Sequence, residues 1–94
     1  MLNSKQKRYL KSEAHSLKAI FQIGKDGVTH NQVLGILDAL EAHELIKISV
    51  LKNCSSNINE IAFDIASNTN SEIVQVIGRN IVFYRKSKKQ LITF

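Results

Sequence analysis

The stretch Ala19-Ile20-Phe21-Gln22-Ile23-Gly24-Lys25-Asp26-Gly27-Val28-Thr29-His30-Asn31-Gln32 changes periodicity in its middle. Residues 19–23 form a short apolar run stopped by Gly24, which is the signature of a strand. Gly24-Lys25-Asp26-Gly27 reads as a turn. Thr29 and Gln32 then stand three apart, the spacing at which a hydroxyl and a carboxamide cap each other's backbone N–H groups at a helix start. Val33, Ile36, Leu37 and Leu40 follow at i, i+3, i+4 and i+7 and share one helical face, which predicts a helix over 30–43. In Leu45–Val50, Ile46, Ile48 and Val50 alternate with Lys47 and Ser49, so a second strand has one buried and one wetter face. Strand, helix and strand in this order form a crossover unit with parallel strands.

The flanks extend the pattern. The Asn/Ser-rich segment 53–59 is a loop, and Ile58, Ile61, Ala62 and Ile65 repeat the helical spacing behind it. Asn57 and Glu60 are placed to cap that helix, which should end near 68–70. Ile73, Val74, Val76 and Ile77 form a strand apolar on both faces. Gly78-Arg79-Asn80 turns the chain, and Ile81–Arg85 returns, so residues 72–86 form a hairpin. Toward the N-terminus, Asn3 or Ser4 caps a helix reaching Ala14, with Tyr9, Leu10 and Ala14 to pack and a basic side. The core reading is preferred for Phe21, Phe83 and most of Tyr84 over stacking on a base. Leu91, Ile92 and Phe94 offer a last contact after a basic tail, Lys86–Lys89. The expectation is an α/β fold with one compact domain over 1–94. Its elements run helix-strand-helix-strand-helix-strand-strand, with a four-stranded mixed sheet packed by helices and some cover on both faces of the last two strands.

The 94 residues are 44% hydrophobic and 22% charged, ordinary globular composition that leaves no room for a two-lobed enzyme with an interdomain cleft. The lone Cys54 excludes an intramolecular disulfide and a cysteine-based zinc site. His15, His30 and His43 match no metal spacing and form no placed pair for a small nuclease. Asp38 and Glu41 read as a solvated helix side, and no carboxylate pair suggests acid–base catalysis. No signal-peptide core and no membrane-length apolar run are evident, so a cytoplasmic location is expected.

The formal net charge of +5 is unevenly spread. Lys5, Lys7, Arg8, Lys11 and Lys18 face only Glu13 within 1–18. Arg79, Arg85, Lys86, Lys88 and Lys89 face no acid within 79–94. Between them, three lysines meet seven acids. Basic ends of this kind suit a phosphate backbone. The Gly24-x-x-Gly27 turn adds a close backbone approach, the mobile charge of Lys25 and the free N–H groups of a following helix. Asp26 counts against an anion there, and a plain strand-to-helix turn reads equally well from this motif alone. Neither a P-loop nor a dinucleotide fingerprint is present.

The ordered set of blocks at 5–11, 14–18, 22–29, 43–48 and 74–85 resembles the CRM (chloroplast RNA splicing and ribosome maturation) domain in its stand-alone bacterial YhbY-like form. The blocks read KQKRYLK, AHSLK, QIGKDGVT, HELIKI and VQVIGRNIVFYR. Ser16 and Ala19 stand where that family usually has prolines, and Asp26 where glycine or asparagine is common. The resemblance implies a fold similar to the C-terminal domain of translation initiation factor three. It implies non-catalytic binding of ribosomal RNA in large-subunit precursors through the G-x-x-G loop. The expected RNA-binding residues are Gly24, Lys25, Asp26, Gly27 and Thr29, with Lys5, Lys7, Arg8, Lys11, Lys18, Arg79, Arg85 and Lys86. A monomer is expected, with no cofactor, metal, membrane or small-molecule substrate. A winged-helix-like DNA-binding protein is the alternative, with the final hairpin as wing, although Glu60 and Asp64 dominate the polar side of its third helix.

Overall fold

The computed structural model describes residues 2–94. Its elements are α1 (Ser4–Ala14), β1 (Ala19–Ile23), α2 (His30–His43), β2 (Leu45–Val50), α3 (Ile58–Thr69), β3 (Glu72–Ile77) and β4 (Asn80–Tyr84). Local chemistry explains the helix starts. Asn3 and Gln6 cap α1 reciprocally, Thr29 and Gln32 do the same for α2, and Asn57 accepts the Asn59 N–H at the start of α3.

The sheet order is β1-β2-β4-β3. β1 pairs parallel with β2, and β4 lies antiparallel between β2 and β3. The register gives the sheet two distinct ends. Ile23 aligns with Val50, and Asn80 pairs with both Ser49 and Ile77, so the connections after β1, β2 and β3 gather at one end. Tyr84 pairs with both Leu45 and Glu72 at the opposite end.

Side-chain alternation separates two cores. Ile46, Ile48, Val50, Ile81 and Phe83 face Ile36 and Leu40 of α2 and Ile61, Ala62 and Ile65 of α3. Cys54 is buried among them. Gly35 lets α2 approach β1 closely: a Cβ there would meet the Phe21 ring at 3.0 Å. On the other face, Leu45, Val82, Tyr84 and Val74 pack on Leu10 and Ala14 of α1. Both sheet faces are thus covered at β4, which is buried from Ile81 to Tyr84. β3 departs from the expected two-sided cover. It is an edge strand carrying a register irregularity between Ile73 and Gln75, and its Val76 and Ile77 stay exposed toward the hairpin tip, with Ile77 only bordering the end of α1. Tyr9 is likewise exposed, with its ring edge-on to Phe94 at 6.0 Å.

The last residues are strapped to the domain by an acid that periodicity does not single out. Glu44 ends α2 with a φ of 65°, and its side chain is completely buried. One carboxylate oxygen accepts the Ser87 N–H and hydroxyl at 2.8 and 2.7 Å, and the other accepts the Ile92 N–H at 2.7 Å. Glu41, expected on a solvated side, is half-buried and accepts the Lys88 N–H at 3.0 Å. Burial pushes the Glu44 carboxyl pKa up, but the hydrogen bonds from Ser87, Ile92 and Leu91 outweigh it and hold it below the ordinary value. Burial, together with Glu44 and Glu72, pushes the Tyr84 hydroxyl up.

Candidate nucleic-acid interface

The Gly24–Gly27 segment closes as a turn, with the Gly27 N–H donating to the Gly24 carbonyl at 3.0 Å. Gly27 has a φ of +69°, a conformation that side chains disfavour. Gly24 differs. A Cβ there would meet only Leu51 and Asn53 at ordinary contact distances, so the fold itself does not demand glycine at this position. Lys25 and Asp26 are exposed at the tip. The Thr29 hydroxyl is occupied by the Gln32 N–H, and the Gln32 carboxamide also donates to the Gln22 carbonyl at 3.0 Å. Thr29 thus holds the start of α2 through its hydroxyl oxygen, while its O–H, on an exposed residue, keeps the ability to donate. Of the early N–H groups of α2, those of Gln32 and Val33 are taken by the Thr29 hydroxyl and carbonyl oxygens, and those of His30 and Asn31 stand ahead of them at the positive end of the helix dipole.

Arg79 reaches this same end, but its guanidinium is engaged. Nε donates to the Val50 carbonyl at 2.8 Å and Nη2 to the Leu51 carbonyl at 2.6 Å. The Val50 N–H returns a bond to the Arg79 carbonyl, and the Leu51 N–H bonds the Ile23 carbonyl. Arg79 thus fastens the hairpin tip to the end of β2, beside the Gly24 turn. No sequence pattern distinguishes such an arginine from a solvent-exposed one.

Arg85 and Lys86 follow β4 at the opposite end of the sheet, beside Leu2, Gln6 and Glu72. They do not share a surface with Lys25, because β4 runs the full height of the sheet between Arg79 and Arg85. Of the expected RNA-binding cations of the final hairpin, only Arg79 at its tip therefore stands at the end that carries the glycine turn. Helix α1 spans the interval on the other sheet face. Its first turn lies near β3's start, where the Leu2 N–H bonds the Glu72 carboxylate. Lys5 lines a groove with Tyr9 and Phe94. Arg8 is exposed and Lys7 half-buried, while Lys11 near the helix end overlies the sheet toward the turn-bearing end. Lys18 leads into β1 and lines a cleft with Glu13 and His43.

The chain is thus an α/β domain with its loops gathered at one sheet end, a capped helix behind a glycine turn, and cations spread over both ends of the sheet. The CRS1/YhbY (CRM) domain pattern matches residues 2–85, and the chain belongs to that family. The chain is 51% identical over 89 residues to the Bacillus subtilis protein named "Probable RNA-binding protein YqeI", covering 95% of this chain and 93% of the relative. It is 36% identical over 91 residues to a Haemophilus influenzae protein named "RNA-binding protein", covering 97% and 92% of the two chains. The solution structure of SAV1595 from Staphylococcus aureus, described as an RNA-binding candidate, superposes with a TM-score of 0.80 at 52% identity, covering 94% of this chain and 92% of that one. No described helix is long and apolar enough to cross a membrane.

Proposed function

We propose that this chain is a non-catalytic RNA-binding module that acts in the cytoplasm on ribosomal RNA of large-subunit precursors. The observation that carries the reading is the glycine turn. Gly24 has no conformational need to be glycine, yet it opens the exposed turn that leads into α2, with Lys25 beside it. A phosphate placed there meets N–H donors, a helix dipole and one mobile cation. Lys11 and the exposed side of α1 extend the path, and Arg79 supports the platform rather than the contact. The names of the relatives support RNA as the partner.

Duplex DNA is the weaker reading. The exposed side of α3 carries Glu60 and Asp64 around an exposed Phe63, and phosphates would be repelled from it. Competition between a structured ribosomal RNA fragment and duplex DNA of equal length tests the choice. RNA should displace DNA, and preferential retention of DNA would overturn the proposal.

A further inference from the structure

Between the last turn of α1 and the sheet lies a cleft whose polar lining is Lys11, His15, Lys47 and Gln75, with Ile77 and Val82 as apolar wall. Lys47 belongs to β2, an interior strand, where it pairs with Val82 across β4. It is half-buried there, beneath the helix that brings Lys11 and His15, four residues apart, over the same spot. No acid lines this cleft. Like charges held together against a low-dielectric wall repel, and the field they focus favours an anion between them. Ser49 and Gln22 are paired neighbours on the same face and lead from Lys47 toward the glycine turn. The sheet face thus links the turn-bearing end to α1, which the loops alone do not.

We propose that this cleft holds one nucleotide of the RNA strand. Lys11 and Lys47 take its phosphate, the half-exposed Ile77 supports the base, and the Gln75 carboxamide, both donor and acceptor, meets the base edge. This inference rests on the RNA-binding reading and names a second contact, distinct from the glycine turn.

The test titrates isotope-labelled native protein with single-stranded hexanucleotides of uridine or adenosine, and separately with inorganic phosphate, following backbone amide signals. In parallel, Lys25→Ala, Lys47→Met and Gln75→Ala are assayed for affinity to a structured ribosomal RNA fragment across a salt series. Amides of Lys47, Gln75 and Val82 should shift with the oligonucleotides. Lys47→Met should weaken RNA binding about tenfold and flatten the log-log salt slope by about 0.7. Gln75→Ala should alter the preference between the two base types. If the cleft amides stay still with every oligonucleotide while Lys25→Ala weakens RNA binding, the cleft is excluded and the RNA reading survives. Shifts with inorganic phosphate alone would make it a simple anion site and overturn the nucleotide assignment. If the native protein binds none of the RNAs, both readings fall together.

Discussion

The Glu44 carboxylate accepts both the backbone N–H and the hydroxyl of Ser87, joining the end of α2 to a residue 43 positions later in the chain. With the Ile92 N–H on its second oxygen, this buried acid closes the tail over the α1 side of the sheet. Its backbone φ of 65° carries strain that glycine would avoid, so the residue is held there by what its side chain does.

Removal of the carboxylate is expected to destabilise the fold. Glu44→Ala should cost about 2–4 kcal/mol, because three donors lose their acceptor in a buried place. Glu44→Gly should recover about 1 kcal/mol of that by relaxing the backbone. Chemical denaturation of the three proteins measures the order native, glycine variant, alanine variant.

The same acid sets a pH dependence. Its folded-state pKa lies below the ordinary value of 4.5, so its contribution is fully present above that value. The contribution is lost as pH falls through the lowered folded-state value. Amide exchange at Ser87 and Ile92 should therefore accelerate in acid before the β4 amides do. In Glu44→Gln the acid-dependent step should vanish.

Arg79 is expected to act on stability before it acts on binding. Arg79→Ala removes donors to the Val50 and Leu51 carbonyls and should cost about 1–3 kcal/mol. Arg79→Lys should not restore it, since an ammonium lacks the planar fork that reaches two carbonyls. Thermal unfolding of the two variants checks this. An unchanged melting temperature with weakened RNA binding would return Arg79 to the contact surface.

The two glycines of the turn should separate fold from function. Gly27→Ala forces a side chain into φ +69° and should cost about 1 kcal/mol of stability. Gly24→Ala meets only ordinary contacts, so it should melt like the native chain while losing RNA affinity. Loss of stability in Gly24→Ala with intact affinity would remove the turn from the interface.

Lys25→Ala should leave the melting temperature unchanged, because the side chain is exposed. Its RNA affinity should fall, and its salt slope should shallow by about 0.7, the release expected from one phosphate on a single strand. Binding measured at several salt concentrations reads both.

The helices and strands were legible because their causes are local. The Thr29 and Gln32 cap, the Val33–Leu40 stripe and the alternation of Ile46, Ile48 and Val50 act over a few residues. The family, too, was legible from ordered blocks that keep their order in the fold. What lay beyond local reading was which distant residues meet. The β4 strand inserts between β2 and β3, which leaves Val76 and Ile77 at an edge although their composition matches a covered strand. Arg79 and Arg85 look alike in the chain, yet β4's direction sends one to the glycine turn and the other to the far end. Nothing in the local pattern singles out Glu44, and only its docking against residues 87–92 makes it a buried clamp. Lys47 reads as the wet side of a strand until α1 lays Lys11 and His15 over it. Periodicity fixes the face on which a side chain stands. Only long-range packing decides what stands opposite, because the pairing energy belongs to contacts between segments that no local spacing encodes.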